Sequence, residues 1–289
     1  MPDVQKLEPG LVRIVAPNPS PMTERGTNTY LLGDPQAVAV IDPGPAHDDH
    51  LAAILSAIGD RDVTQILVTH AHLDHSPIAA RLSRHTGAPI LAYGDARAGR
   101  PERMEGLTDL GGGEGVDANF VPDRQLADGE VIETPAGPVE AMWTPGHFGN
   151  HLAFLWTGAA FSGDLVMGWA STFISPPDGD VGAFLDSCRR LNERAPRRLY
   201  PGHGAPVEDP PARIDWLIAH RKAREAQVLD ALCEAPGTPA SLAARIYADI
   251  PPAMLPAATR NVLAHLIDLT ARGHVRHHGA AGSDTTFHL

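Results

Sequence analysis

Three histidines and an aspartate fall within six residues in the segment Thr69-His70-Ala71-His72-Leu73-Asp74-His75. Imidazole and carboxylate groups suit zinc, and also iron or manganese. On an extended loop alternate residues point the same way, so His70 and His72 can grip one cation together. Asp74 and His75 lie where the chain turns toward the next helix and can face a second cation. Burying four such groups without a cation among them would be costly.

Three further segments each present one candidate ligand where an apolar run stops at a tight turn. They are Thr144-Pro145-Gly146-His147, Phe161-Ser162-Gly163-Asp164 and Leu199-Tyr200-Pro201-Gly202-His203-Gly204. A lone strand-end histidine is more often an ordinary surface or core residue. Strand ends on one edge of a sheet sandwich converge, however, and then the count fits two ions. His70, His72 and His147 would hold the first, Asp74, His75 and His203 the second, and Asp164 would bridge them. Two ions ~3.5–4 Å apart can lower the pKa of a shared water from ~15.7 toward ~7 and so supply a nucleophile for a carbonyl carbon or phosphorus. Asp74 is the candidate catalytic residue, placed to accept a hydrogen bond from that water.

The elements around these residues alternate between strand and helix signals. Residues 11–15, 29–33 and 37–41 read as strands bounded by turn residues, and 48–58 reads as a helix from Leu51, Ile54, Leu55 and Ile58. A buried-type strand at 65–69 delivers the histidine-rich segment, followed by a helix at 76–86 and a strand at 89–92. Residues 94–118 are rich in glycine and charge without a clear period, and a loop that long is usually functional or mobile. Strand signals return at 131–143 and 152–162, a helix at 180–194, and a short strand at 198–200.

The character of the chain changes after residue 208. Asp209-Pro210 is a good N-cap and first-turn pair for a long helix to about residue 234. Helices near 239–247 and 256–272 and a short hairpin in 274–289 resemble a small winged-helix module. Residues 1–208 thus read as a catalytic domain and 209–289 as a helical winged-helix-like domain.

Taken together, THAHLDH, Asp42 in IDPG, His147 in TPGH, Asp164 in SGD and His203 in PGHG resemble the metallo-β-lactamase superfamily, in the family's order over about residues 10–208. The resemblance implies an α/β (α+β) fold of the αββα sandwich type with the metal site at one edge of the two sheets. It also implies that Asp42 orients the site rather than ligating. GTNTYLLG at 26–33, and PGHG followed by AHRKAREAQVL at 219–229, are similar to the β-lactamase-like protein 2 subgroup, as is the winged-helix-like tail. Ser76-Pro77 departs from the glycine that many members carry after the DH pair. Only 38 residues separate Asp164 from His203, too few for the long insertion of the superfamily's nucleic-acid-processing branch.

Composition narrows the function further. The formal charge is −12, and residues 1–210 carry 15 Lys+Arg against 28 Asp+Glu, while 211–289 carry 8 against 7. An acidic body repels polyanions at long range. The leading expectation is therefore a hydrolase with two divalent ions, zinc first, acting on a small thioester or ester in the manner of a hydroxyacylglutathione hydrolase. The alternatives are a metal-dependent endoribonuclease on single-stranded RNA, a tail that binds nucleic acid or a protein, and a mononuclear iron oxygenase. With no apolar run of the ~18–20 residues that span a bilayer and no signal-peptide pattern, the chain reads as cytoplasmic and membrane-free. A homodimer is compatible with the sequence. Cys188 and Cys233 read as buried free thiols.

The remaining candidates differ by position. His151 reads as a strand histidine that could line the pocket. His47 and His50 read as helix-start surface residues, His220 and His265 as structural, and His274, His277 and His278 as a solvated tail. Thr27, Asn28 and Thr29 could reach the substrate, Arg97, Arg100 and Arg103 could meet an anion, and Trp169 and Phe173 could wall the pocket.

Overall fold

The computed structural model describes residues 3–105, 107 and 115–289. Strands β1 (Asp3–Glu8), β2 (Leu11–Val15), β3 (Asn28–Gly33), β4 (Ala37–Ile41), β5 (Asp62–Leu67), β6 (Ile90–Ala92) and β7 (Arg124–Gln125) pair in that order into one sheet. A second sheet holds β8 (Glu130–Thr134), β9 (Gly137–Trp143), β10 (Leu152–Trp156), β11 (Ala159–Gly163) and β12 (Leu199–Pro201), ordered β12-β11-β10-β9-β8. The helices are α1 (Asp48–Ile58), α2 (Ala79–Thr86), α3 (Glu102–Glu105), α4 (Val181–Glu193), α5 (Pro210–Glu234), α6 (Pro239–Ile246) and α7 (Leu255–Ala271). β13 (Arg276–His277) and β14 (Phe287–His288) form a closing hairpin.

The period-two alternation of the strands builds the layers. Leu31, Val38, Val40 and Ile66 face outward and pack with Leu51, Ile54 and Leu82 of α1 and α2. Their neighbours Leu32, Ile41 and Leu67 face inward and meet Phe154, Phe161 and Tyr200 of the second sheet. Tyr30 and Phe161 join edge to face at 5.1 Å between ring centroids. The outer face of the second sheet packs on Phe184 and Leu191 of α4 and on Ile214 and Leu217 of α5. The result is the expected αββα sandwich.

Strand direction explains where the candidate ligands gather. β4 and β5 run parallel, as do β11 and β12, and β9 shares the direction of β11 because each is antiparallel to β10. Asp42, the 69–75 segment, His147, Asp164 and His203 therefore leave the C-terminal ends of like-directed strands. A bridge between Thr27 and His203 ties the two sheets together at this edge.

α5 begins as the Asp209-Pro210 pair predicts, with the Asp209 carboxylate accepting the Ala212 amide at 3.1 Å. Its first half packs on the sandwich, and its second half (Val228, Leu232) packs with Leu242, Leu263, Leu266 and Phe287 of the C-terminal helices and hairpin.

Several elements differ from the sequence reading. β1 carried no apolar alternation because it is an exposed edge strand, paired among the described residues with β2 alone. The strand expected at 65–69 ends at Leu67, because the Thr69 amide turns to the Asp42 carboxylate at 2.7 Å. The helix expected from residue 76 starts at Ala79, since the position before Pro77 disfavours helical backbone and Ser76 instead bonds the His72 carbonyl and Asp117. Within the stretch 94–118, α3 forms and Val116 bridges to His72, while residues 106 and 108–114 lie outside the described residues. Cys188 is buried as expected, but Cys233 is exposed, since it sits about 100° around α5 from buried Leu232.

Candidate metal centre

The structure brings all seven candidate ligands together, in two groups that share their neighbours. His70 Nε2 lies 2.9 Å from His72 Nδ1, and His147 Nε2 lies 3.1 Å from the same atom. In the second group His75 Nε2 and His203 Nε2 are 3.3 Å apart, and Asp74 Oδ2 lies 3.5 Å and 3.2 Å from them. Asp164 stands between the groups. Its Oδ1 is 3.6 Å from His75, and its Oδ2 is 3.3 Å from His203 and 3.7 Å from His147.

Hydrogen bonds behind the rings decide which nitrogen faces inward. His147 Nδ1 must donate to the Phe173 carbonyl at 2.7 Å, which leaves Nε2 as a lone pair. Thr69 Oγ1 donates to Asp42 Oδ2 at 2.7 Å, so it accepts from His70 Nδ1, and His70 Nε2 is a second lone pair. His75 Nδ1 bonds Asp42 Oδ2 at 2.9 Å, and His203 Nδ1 faces the Gly26 carbonyl at 3.2 Å. Asp42 thus stands behind His75 and Thr69. Its backbone sits at φ +48°, a region that Asp tolerates better than most residues, held there by the Thr69 amide.

These donors fit a cation. His72 Nδ1 faces two inward lone pairs and can bring one proton at most, so three neutral rings converge on a point that only an electrophile satisfies. Burial keeps His70 and His147 below, and His72 down to about 3 from, the ordinary imidazole value, so all three present nitrogen lone pairs. Asp164 Oδ1 is buried with no hydrogen-bond partner. Burial opposes a proton on His75, but Asp74, Asp164 and Asp42 outweigh it and raise the pKa well above the usual range. The same contest lifts His203 to about 9, with Asp164 the largest of the raising groups. Carboxylates that draw protons onto these rings would also draw a divalent cation, which displaces the protons.

Small residues make the approach feasible. A Cβ on Gly202 would stand 2.4 Å from Asp164 Oδ1 and 2.7 Å from His75 Cε1. At Gly163, φ is +48° and a Cβ would strike His151 Nε2 at 2.5 Å. The glycines of SGD and PGH therefore permit the close approach that gathers the cluster.

Comparison with known proteins agrees with this geometry. Residues 22–203 match the family described as Metallo-beta-lactamase superfamily, and residues 238–283 match the Beta-lactamase associated winged helix domain. The chain belongs to the metallo-beta-lactamase superfamily. It is 30% identical over 289 residues to a beta-lactamase-like protein 2 homolog of Drosophila melanogaster, spanning 96% of this chain and 93% of that one. It is 31% identical over 239 residues to an atrochrysone carboxyl ACP thioesterase of Aspergillus fumigatus, spanning 80% and 68%. Among solved structures, a metallo-beta-lactamase family protein from Thermus thermophilus superposes with a TM-score of 0.79 at 26% identity, covering 98% and 99% of the two chains.

As a metallo-beta-lactamase superfamily hydrolase, the chain opens its site into a cavity of about 660 Å³. Of the seven candidates Asp74 and His72 are part-exposed, Asp74 with 28% of its side chain exposed, and both line the cavity. Trp169 and Phe173 wall the cavity as expected, and Phe173 also supplies the carbonyl behind His147. The strap that carries Phe173 is anchored from several sides. Thr172 Oγ1 bonds the Leu165 carbonyl at 2.8 Å, Arg221 bonds the Thr172 carbonyl, and the Ile174 amide reaches Asn261 at 3.5 Å.

Other expectations change. Thr27, Asn28 and Thr29 are buried and support the ligands rather than meet substrate. Thr27 Oγ1 is 3.3 Å from Asp74, Asn28 Nδ2 holds the carbonyls of Pro201 and Gly204 at 2.9 Å, and Thr29 Oγ1 donates to the Asp42 carbonyl at 2.6 Å. His50 is buried against Thr29 Oγ1 at 2.8 Å, not on the surface. Arg100 and Arg103 pair with Asp178 and Asp180, while Arg97 is exposed. His151 does not join the ligands. Its Nε2 accepts the Asp164 amide at 3.1 Å and its Nδ1 meets Thr144 Oγ1 at 2.8 Å, so it aims the loop that carries Asp164. The four-residue step from His147 was its only signal in the sequence. His265 is buried, His220 stacks on Trp216, His47 is part-buried, and His274 and His278 are exposed with His277 part-buried.

Proposed function

We propose that the chain is a dinuclear metal-dependent hydrolase of small thioesters or esters, with the catalytic unit in residues 1–208 and the winged-helix-like unit in 209–289. The observation that carries this reading is the pair of ligand groups, His70-His72-His147 and Asp74-His75-His203, with Asp164 reaching both. Zinc suits the nitrogen-rich donor set best, and iron or manganese would also be accepted. When bound, two divalent ions lower the pKa of water and polarise a carbonyl. Asp74, accessible from the cavity and held by Thr27, would orient the attacking water and take its proton. Asp42, Thr69 and Phe173 would keep the rings in the tautomers that ligation needs.

The thioesterase relatives and the acidic body support a small acyl thioester over RNA, whose binding usually rests on basic phosphate contacts. Metal analysis of the purified protein should find two ions per chain. His72→Ala should lose at least one, with a fall of ~100-fold or more in acyl-thioester hydrolysis, and His203→Ala should lose the other. Parallel assays should show turnover of an acyl thioester and none of single-stranded RNA. Full metal content and full rate in His72→Ala would refute the assignment.

A further inference from the structure

We propose that Arg221 and Arg224 form an anion-binding subsite on the α5 wall of the active-site cavity, and that the substrate carries a phosphate or carboxylate that seats there. The proposal takes the thioester from the reading above and the anion from the arginines themselves. Both side chains line the cavity that His72, Asp74, His147 and His203 also line. Three residues apart, they lie on one face of the helix.

Most arginines of this acidic chain find a carboxylate, as Arg100, Arg103, Arg190, Arg194, Arg197 and Arg272 do. These two have neutral partners only. Arg221 is 3% exposed, and a cation that deep normally has an anionic partner. It meets the Thr172 carbonyl and Asn261 Oδ1, and its Nε is buried with no partner. Arg224 meets Gln227 Oε1 at 2.7 Å and lies over the Tyr247 ring at 4.5 Å. Among the described residues neither has a carboxylate within ion-pair reach. The guanidinium fork matches the oxygens of a carboxylate or phosphate, and the surrounding protein strengthens such a pair.

Its position suits recognition of a compact substrate. Arg221 bonds the Thr172 carbonyl, and the next carbonyl, of Phe173, holds His147. The subsite and the ligand cluster therefore hang on one two-residue strap, within the length of a small molecule. Met22, Trp169 and Met254 give the lining an apolar part, beside the polar Asp178, His220, Arg260 and Asn261.

Arg221 also anchors the strap, so Arg224 is the residue to vary. Three acyl thioesters separate the sources of the anion: an N-acetylcysteamine thioester with a neutral acyl group, the same acyl group on coenzyme A, and an N-acetylcysteamine thioester whose acyl group ends in a carboxylate. Arg224→Ala should lower the kcat/KM preference for one charged substrate over the neutral one about tenfold, mainly through KM, with partial rescue in Arg224→Lys. The charged substrate affected tells whether the thiol or the acyl side carries the anion. Calorimetry with coenzyme A and with glutarate should show the matching loss of affinity. Equal preferences and equal affinities in the parent and Arg224→Ala would overturn the subsite and leave the hydrolase reading standing. Failure of all three thioesters to turn over would count against that reading, and calorimetry would still decide the subsite.

Discussion

At the residue scale, the candidate ligands depend on the groups that fix their tautomers. Asp42 serves His75 through one oxygen and the Thr69 amide through the other. Asp42→Asn keeps the shape and tolerates the positive φ, but removes the charge behind His75. It should weaken metal affinity ~10–100-fold, measured by competition with a chromophoric chelator, while the melting temperature of the metal-free protein moves little. Protonation gives a second test. His203 holds its proton up to about pH 9 in the metal-free protein, and His75 is raised as well. A cation must displace those protons, so apparent affinity should rise with pH through neutrality and level off above about 9. Affinity independent of pH between 6 and 9 would contradict the placement of these two rings beside Asp74 and Asp164.

At the scale of elements, His147, Asp164 and His203 each follow a strand and a glycine that lets two chains approach, whereas the 69–75 segment carries none. Gly202→Ala puts a methyl against Asp164 and His75 and should reduce metal affinity at least about tenfold. Gly87→Ala is the control: its Cβ would meet nothing within 4 Å and its backbone is left-handed helical at φ +75°, ψ 0°, so only the cost of that conformation applies, about 1 kcal/mol of stability with metal binding kept. Equal metal affinity in both variants would mean that the close approach at Gly202 does not matter.

At the scale of the whole molecule, the two sheets are also joined through Glu8. Glu8 of β1 takes a bidentate pair from Arg197 at 2.8 and 2.7 Å, with Arg198 and Tyr200 beside it. The Arg197 bond, against the opposing effect of burial, and then Tyr200 hold its carboxyl down at about 2 instead of 4.5. A depressed carboxyl stabilises the fold above its ordinary value and loses that contribution as pH falls toward about 2. Glu8→Gln should therefore cost about 1–2 kcal/mol at neutral pH, by chemical denaturation, with the difference from the parent protein shrinking below about pH 4. A difference that persisted at pH 2 would show that packing, not charge, is what Glu8 supplies. α5 gives a second join, because Ile214 and Leu217 complete the sandwich while Val228 and Leu232 complete the C-terminal cluster.

The sequence alone determined the donor chemistry and most of the layered frame. A short ligand-dense segment, ligand-bearing strand ends and period-two apolar runs are local properties, visible wherever neighbours in the chain are also neighbours in space. It could not show β1, whose exposed edge has no apolar pattern, nor that Thr27, Asn28 and Thr29 support segments of the site 13 to 176 residues away. It did not reveal that His151 aims Asp164, or that Arg221 reaches the strap behind His147. Those roles belong to contacts between distant segments, which burial and hydrogen bonding select only once the two sheets and the C-terminal helices have closed around one cavity.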